Sequence, residues 1–455
     1  MRYGRRAARA ADSARHTAHG VEITSHEIRL VRLSRTAAGA DHLATGDARG
    51  RIRVDDVVRH PLAPGIVAGA DIIDADALTR ALDVCFSQQA ARNAEKAEKA
   101  AGAGESAYAG RTSMAPGTVR IALGLCPSVV TQGMVALDEL IPGFSMRLPG
   151  RLDEAAFDAL EPWVSLHAQK ISGIDPGELI VDWYPVASGD PERVVVAASQ
   201  RHYLDIRQRV ADAAGLRLGA LCDASVAALD ACRFVVAQCL HTRCDDLDVV
   251  SAPVVAGGAC FSPATEAWSP RSHPHPHPQP RRDDRAAAMA WVDAADAPDT
   301  SDPAPAPGPD AQRLVAEARR VYACGVGGTG RHASGQVPDM QRFAALWLGE
   351  CAWRGWAFEA GGETLEEWVL PDSRDPAALI ATLREQAGRL ALTLVAGECG
   401  VLTPVGGLRA LGDALHCPVI EFDASTCCDG PAATSQQLGP AASVAFGLAF
   451  RELLR

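Results

Sequence analysis

The stretch GVEITSHEIRLVRLSR, residues 20–35, decides the fold of this 455-residue chain. Val21 and Ile23 alternate with polar residues, and after a short polar interruption the alternation resumes at Ile28. Period-two alternation of apolar residues is typical of a strand with one buried face. The stretch therefore predicts a β-hairpin close to the start of the chain, with its turn at residues 24–26.

The same order of elements occurs again in the C-terminal part of the chain. Residues 343–370 predict three consecutive strands, and Asp375 followed by Pro376 is typical of a helix start. Helices and buried strands then alternate up to a closing helix that begins at Pro440. In the N-terminal part, the first hairpin is followed by a helix that Asp74 can cap and by further strands. A hairpin followed by helix–strand alternation, present twice, predicts an α/β fold with two similar lobes.

Composition separates segments that can pack from segments that cannot. Three segments are predicted to be flexible because they are basic, small and polar, or rich in proline and histidine: 1–17, 91–118 and 262–335. The Gly-rich run at 324–332 lacks the lysine and the preceding strand of a phosphate-binding loop, so it is assigned to the last of these segments. The first lobe is predicted over residues 18–60 and 190–261. An inserted α+β subdomain is predicted over 61–189, which includes the flexible segment 91–118. The second lobe is predicted over 336–455.

Charge and cysteine content exclude several classes of protein. The chain has 44 basic and 56 acidic residues, a net charge of −12, which argues against a nucleic-acid binder. No run of about 18 apolar residues is present, so no membrane-spanning helix is predicted. The 13 cysteines are scattered without a C-x-x-C pair. This spacing predicts neither a disulfide framework nor a metal site, and it favours the cytoplasm.

An ordered series of segments resembles the PilM family, the actin-like cytoplasmic components of type IV pilus assembly. The segments that carry the resemblance are 20–33, 62–82, 119–138, 177–186, 194–231, 392–423 and 439–453. Together they cover most of the chain outside the flexible segments. The resemblance implies two actin-like lobes of RNase H type, with the inserted α+β subdomain in the first lobe.

The resemblance also implies a cleft between the lobes, where members of the superfamily hold ATP and Mg²⁺. Glycines in the turns of such a cleft let backbone N–H groups approach phosphate oxygens closely. Residues of the two hairpin turns and of the adenine-side loop are the implied cofactor contacts: Glu22, Thr24, Ser25, His26, Gly349, Gly397 and Gly400.

This sequence departs from the family pattern at that cleft. Thr24 stands where a glycine is expected, Glu22 is one methylene longer than the expected aspartate, and no acidic residue precedes Gly349. The departures predict a weakened or lost ATP site. Neither ATP nor Mg²⁺ is therefore an expected cofactor, no metal ligand is assigned, and no residue is predicted to be catalytic.

The role implied by the resemblance is that of a cytoplasmic scaffold, held at the inner membrane through a partner. In the PilM family, a groove between the first lobe and its inserted subdomain receives the short N-terminal cytoplasmic segment of PilN, an inner-membrane protein. Peptide capture of this kind uses apolar anchors for affinity and main-chain hydrogen bonds for register. Segment matching places Ile66, Val67, Ile72 and Ile73 at this groove.

Three alternatives remain at this stage. The chain could be an active actin-fold ATPase or a small-molecule kinase, although no catalytic aspartate is evident in the sequence. It could also resemble the cytoplasmic part of the type II secretion GspL proteins, which share the fold. Separately, four tryptophans within residues 347–368 are predicted to pack in a core, with a partner-docking surface as the competing interpretation.

Overall fold

The computed structural model describes most of the chain in separate stretches. They are residues 17–35, 52–102, 119–141, 154–186, 193–241, 260–261, 342–359, 364–368, 370, 375–386, 390–428 and 438–454. The predicted linker at 262–335 and all but the last residue of the predicted basic tail lie outside these stretches.

Six strands form the first sheet, in the spatial order β11-β10-β6-β1-β2-β3. Their bounds are β1 (Thr17–Ile23), β2 (Glu27–Arg35), β3 (Ile52–Pro61), β6 (Arg120–Leu125), β10 (Arg217–Asp223) and β11 (Cys260–Phe261). The strands β1, β2 and β3 are antiparallel neighbours, whereas β6 runs parallel to both β1 and β10. The predicted hairpin and its turn at residues 24–26 are confirmed.

Five strands form the second sheet, in the order β14-β13-β12-β15-β16. Their bounds are β12 (Arg342–Leu348), β13 (Trp353–Glu359), β14 (Thr364–Trp368), β15 (Leu392–Gly397) and β16 (Val419–Glu421). Three antiparallel strands are again followed by two strands parallel to the first. The second sheet therefore has the same strand order and directions as β3-β2-β1-β6-β10 of the first.

Helices pack on both sheets. They are α1 (Ala75–Gly102), α2 (Leu137–Leu140), α3 (Glu154–Ser172), α4 (Arg201–Ala213), α5 (Ala224–His241), α6 (Pro376–Gln386), α7 (Gly407–Leu415) and α8 (Ser443–Leu454). Residues of α5 and α8 share one apolar core with residues of both sheets, so these two helices lie between the sheets. At Gly20 on β1, a Cβ atom would lie 2.0 Å from the carbonyl oxygen of Ala445. The closing helix therefore requires glycine at this position of the first strand.

Two smaller units accompany the first sheet. A two-stranded hairpin consists of β4 (Val67–Ala68) and β5 (Asp71–Ile72). A three-stranded sheet has the order β7-β9-β8, formed by β7 (Val130–Ala136), β8 (Leu179–Val186) and β9 (Arg193–Gln200). The helix α3 covers one face of this sheet through a core that includes Val164 and Ala168.

The predicted boundaries of the insertion, 61–189, differ from the structure. Strand β6 lies inside the first sheet, since it pairs in parallel with β1 on one side and with β10 on the other, and most of its side chains are buried. Helix α1 places Leu78 and Leu82 in the core of the first sheet. Conversely β9, which was predicted to return to the first lobe, is the middle strand of the three-stranded sheet.

The segment 91–118 is also corrected in its first part. Residues 91–102 continue α1 because alanine, glutamate and lysine favour helix over the flexible linker that was predicted. Arg92 attaches this helix to the first sheet, since its guanidinium donates to the carbonyl oxygen of Val57 at 3.0 Å. Residues 103–118 lie outside the described stretches.

The tryptophans of the second sheet were predicted to pack in a core. The four tryptophans of the second sheet, Trp347, Trp353, Trp356 and Trp368, are at most 7% exposed, which confirms the core interpretation.

Cys222 on β10 is disulfide-bonded, which the scattered cysteine spacing did not predict. None of the helices in the described stretches is both long and apolar enough to cross a membrane.

Candidate functional site

A narrow cleft lies where strands of the two sheets end. The carboxyl ends of β1 and β6 face the carboxyl ends of β12 and β15, and this edge is where α/β sheets usually bind ligands. The cleft has a cavity volume of about 40 Å³. One water requires ~10–15 Å³ measured in this way, so the cleft in this conformation holds about three waters.

The first turn, residues 24–26, is closed by the side chain of Thr24. The Thr24 hydroxyl accepts a hydrogen bond from the backbone N–H of Glu27 and donates to its carbonyl oxygen, each at 3.0 Å. The backbone N–H of Thr24 also donates to that carbonyl oxygen at 3.0 Å. The threonine found where the family pattern has glycine therefore tightens the turn by hydroxyl–backbone bonding.

The first turn is joined directly to the second turn, residues 349–352. The backbone N–H of Ser25 donates to Oε2 of Glu350 at 2.8 Å, and the Ser25 hydroxyl donates to Oε1 of the same carboxylate. Hydrogen bonds to an ionised carboxylate are among the stronger ones in proteins. The Glu350 carboxylate thus satisfies both donors of Ser25, the N–H and the hydroxyl, that face the second sheet.

Arg29 on β2 makes the second connection across the cleft. Its side chain is 2% exposed and pairs with three carboxylates: Glu22 at 3.2 Å, Glu27 at 2.5 Å, and Glu398, which follows β15 of the second sheet. The guanidinium also donates to the carbonyl oxygen of Ala441 at 3.0 Å. One buried cation therefore links both hairpin strands of the first sheet to the second sheet and to the turn before α8.

The carboxylates around Arg29 differ in their titration. Burial raises the pKa of Glu22 to about 7, although Arg29 acts in the opposite direction. Burial would also raise the pKa of Glu27, but hydrogen bonds and charge from Arg59 and Arg29 bring it below its ordinary value. For Arg29 itself, burial is outweighed by the carboxylates, so its pKa is raised and the guanidinium stays charged.

The structure brings together most of the predicted cofactor contacts. Glu22, Thr24, Gly349 and Gly397 line the cleft. Ser25 reaches Glu350 across the cleft, as described. Two residues do not contribute in this way, since His26 is exposed and Gly400 is not part of the cleft lining.

The glycines of the cleft have a structural explanation. Gly397 has a φ of +85°, and a Cβ there would lie 2.4 Å from the carbonyl oxygen of Leu348. At Gly349 a Cβ would lie 2.1 Å from the Trp347 ring. Close backbone packing and the positive φ therefore require glycine at 397, whereas a side chain at 349 would require the Trp347 ring to shift.

The donor set at the cleft does not fit the Mg²⁺ that the resemblance implies. Among the described residues, His26, Glu27 and Glu398 have candidate ligand atoms within 4.8 Å of one another. Both oxygens of Glu27 already accept from Arg59, and Glu398 is paired with Arg29. A hydrated divalent cation would have to displace these guanidinium groups. The ATP phosphates meet the same difficulty, because Glu350 occupies the donors of the first turn.

The predicted partner contacts lie beside the cleft on the β4–β5 hairpin. Val67 and Ile72 are 4% and 8% exposed and belong to the core of the first sheet, and Ile66 packs against that core. Ile73 is 63% exposed. In this structure Ile73 is the member of the set that offers most of its side chain to solvent.

Several residues at the cleft were missed from the sequence. Arg29, Glu350 and Glu398 carry the contacts between the sheets, and Asp223 ends β10 beside Leu125 of β6. The Asp223 carboxylate accepts from the backbone N–H and hydroxyl of Ser225 at 2.7 and 2.6 Å, so it caps α5. The alternation that begins at Ile28 places Arg29 on the predicted polar face, so nothing in the sequence indicated its burial. Glu350 and Glu398 carried no local signal.

Comparison with solved structures identifies the fold. A chain of a "PilM-PilN type IV pilus biogenesis complex", the PilM chain, aligns with a TM-score of 0.50 and 13% sequence identity, over 96% of this chain and 98% of that chain. This similarity confirms the predicted PilM-like fold, and at such low identity it shows the fold alone. The cytoplasmic domain of EpsL, an inner-membrane component of the type II secretion system of Vibrio cholerae, aligns over 46% of this chain and 58% of that chain. Its TM-score of 0.24, at 10% identity, is too low to support an argument. No protein-family model matches the sequence, and no curated protein is significantly similar to it.

Proposed function

We propose that this chain is a cytoplasmic scaffold of type IV pilus assembly that binds the N-terminal segment of a PilN-type inner-membrane protein. The observation that carries the proposal is the fold, which is shared with PilM over nearly the whole of both chains. The two sheets of equal topology are then the two actin-like lobes. The three-stranded sheet with α3 is the core of the inserted subdomain.

The contacts at the cleft support a role that does not depend on nucleotide. Glu350 satisfies the N–H and hydroxyl of Ser25, and Arg29 joins the sheets through Glu398. Both connections cross the space where the superfamily places phosphates. An ATPase or a kinase would have to break them before its substrate could enter, so a degenerate nucleotide site is the simpler interpretation.

The surface beside the β4–β5 hairpin supports the choice of partner. Ile73 is exposed next to β5, and Met134 on β7 of the three-stranded sheet is 56% exposed. Within the described stretches, β7 pairs only with β9, so its other edge has unpaired backbone groups. An apolar, extended peptide can use such an edge for main-chain hydrogen bonds and use exposed apolar residues as anchors. Through this peptide the scaffold would be held at the inner membrane.

Calorimetric titration with a synthetic N-terminal peptide of a PilN-type protein from the same organism tests the proposal. We expect saturable binding, absent with a scrambled peptide of the same composition. Ile73→Asp should weaken binding roughly tenfold or more, because it places a charge among the apolar anchors. Val84→Asp is the matched control, since Val84 is 40% exposed and lies on α1, not on the β4–β5 hairpin or on β7. Absence of binding by the unmodified chain would contradict the proposal.

A further inference from the structure

Two cysteine thiols meet at the rim of the cleft, and the proposed function uses neither of them. Cys126 directly follows β6 of the first sheet, and Cys351 lies in the second turn, which belongs to the second sheet. Both side chains line the narrow cleft, and the Cys126 thiol is hydrogen-bonded to Cys351. Each sheet therefore contributes one thiol to the same contact.

The surroundings of Cys126 stabilise its thiolate. Sγ of Cys126 lies 2.9 Å from Oγ of Ser128, and the backbone of Ser128 also hydrogen-bonds to the thiol. The buried guanidinium of Arg207 adds a favourable charge. Hydrogen bonding from Cys351 and Ser128 lowers the pKa of Cys126 to about 7, although burial and Asp223 act in the opposite direction. These hydrogen bonds therefore favour the thiolate form of Cys126.

Other thiols of the described residues are in contrasting surroundings. Cys399 is also half-buried and follows β15 near the cleft, but burial and the carboxylates of Glu421 and Glu398 raise its pKa strongly. Burial also raises the pKa of Cys85 and of Cys232, each to about 12. Because the thiolate is the reactive form, these thiols should react much more slowly than Cys126.

We propose that Cys126 and Cys351 form a peroxide-sensitive dithiol whose oxidation links the two sheets covalently. A low-pKa, partly accessible thiol beside a second thiol is the usual arrangement of a redox-sensing cysteine pair. Cys126 is the attacking thiolate, and Cys351 is the resolving thiol.

The reaction proceeds in two steps. The Cys126 thiolate attacks one oxygen of hydrogen peroxide, the O–O bond breaks, and the departing hydroxide takes a proton and leaves as water. The Cys351 sulfur then attacks the sulfenic sulfur of Cys126, and the sulfenic hydroxyl leaves as water with the Cys351 proton. In sum, two thiols lose two electrons to form one disulfide, and one peroxide is reduced to two waters.

The disulfide would strengthen an existing contact. It would join the end of β6 to the second turn, which Glu350 already attaches to Ser25 of the first turn. Oxidation should therefore fix the cleft in its closed form. This inference depends on the cleft geometry and not on the pilus role, so either can fail without the other.

Peptide mapping of the full chain after peroxide treatment tests the inference. Trypsin releases Cys126 in residues 121–147 and Cys351 in residues 343–354, and each peptide contains one cysteine. We expect graded hydrogen peroxide to yield these two peptides linked by a disulfide, at least about tenfold faster than Cys399 is oxidised. Cys351→Ser should leave Cys126 as a sulfenic acid that dimedone captures, and Cys399→Ser is the matched control that should give the unmodified yield of linked peptide.

Three results would overturn the inference without relying on any variant. The two thiols are not a selective redox pair if the unmodified chain forms no disulfide between residues 121–147 and 343–354. The same holds if this disulfide forms no faster than Cys399 or Cys85 is oxidised. If the linked peptide also forms in urea at the same rate, its formation does not depend on the folded contact and the inference is equally wrong.

Discussion

The first and second sheets have the same strand order, yet their hairpin turns have opposite chemistry. The first turn and β2 supply donors, namely the N–H and hydroxyl of Ser25 and the guanidinium of Arg29. The second sheet supplies acceptors, the carboxylates of Glu350 and Glu398. A cleft that binds a phosphate between two such turns would need donors from both of them. Here the two turns satisfy each other.

The two sheets therefore share one backbone topology, while the polar side chains at their turns differ. The backbone topology needs only the apolar alternation of the strands and a few glycines at close approaches. The contacts across the cleft depend instead on four polar side chains, whose identity the strand topology does not determine. They are Ser25, Arg29, Glu350 and Glu398. Four predictions follow from the opposite chemistry of the two sheets, in order of decreasing expected effect.

Arg29→Ala should have the largest effect. Removal of this cation leaves the buried Glu22 without its partner and breaks the pair with Glu398, and loss of one partner of a buried ion pair costs about 3–5 kcal/mol. Urea unfolding monitored by tryptophan fluorescence measures the free energy of unfolding. Arg59→Ala is the control, because Arg59 contacts the same Glu27 from a side chain that is 54% exposed. It should cost only about 0–1 kcal/mol. Equal losses in the two variants would contradict the central position given to Arg29.

Gly397→Ala should have the next largest effect. The new Cβ would meet the carbonyl oxygen of Leu348 at 2.4 Å, at a φ of +85°. Strain of this kind costs about 1–3 kcal/mol, measured as a decrease in the free energy of unfolding. Gly400→Ala is the matched control three residues later, where a Cβ meets nothing within 4 Å. If the control loses as much stability, Gly397 is not required for packing at the end of β15.

Glu350→Ala should have a smaller effect on stability. It removes both hydrogen bonds to Ser25, which are only partly buried, so the loss should be about 1.5 kcal/mol, the lower end of the range for hydrogen bonds to charged groups. Glu366→Ala on β14 provides the comparison, since its ion pair with Arg342 at 3.2 Å is about half exposed. That variant should lose no more than about 1 kcal/mol. A Glu350 variant as stable as the unmodified chain would show that the turns are not held together by this carboxylate.

Glu22→Gln should have the smallest effect, seen in the pH dependence of stability. Burial raises the folded-state pKa of Glu22 from 4.5 to about 7. Between these values the folded state holds a proton that the unfolded state has released, so this residue makes the free energy of unfolding fall as the pH rises. Glutamine does not titrate, so this part of the slope should disappear in urea unfolding at about pH 5, 6 and 7. An unchanged slope would mean that Glu22 is ionised throughout this range.

The sequence predicted the elements better than their grouping. Strong alternation at residues 20–35, proline at helix starts and Asp74 before α1 are local signals, and the structure has the expected element at each position. The border of the insertion could not be predicted in this way. Strand β6 and strand β9 are both short apolar runs, and only long-range pairing decides that β6 joins the first sheet while β9 joins the three-stranded one.

The candidate site shows the same limit. Resemblance identified Glu22, Thr24, Gly349 and Gly397, which do line the cleft. It gave no indication of Glu350 or Glu398, because a carboxylate acquires its role here only when the second sheet brings it to Ser25 or Arg29. The sequence marks Thr24 only as a departure from glycine, and it did not indicate that the Thr24 hydroxyl closes the turn. Tertiary contacts, and not local sequence, determine the chemistry of this cleft.

We propose that side chains of the chain itself, and not a nucleotide, close the cleft. Isothermal titration of the full chain with ATP and Mg²⁺ tests this claim most directly. We predict no saturable heat up to millimolar nucleotide, because Glu350 and the Arg29 cluster occupy the space and the donors that phosphates would need. A saturable isotherm with a micromolar Kd would contradict the claim and would favour an active ATPase on the same fold.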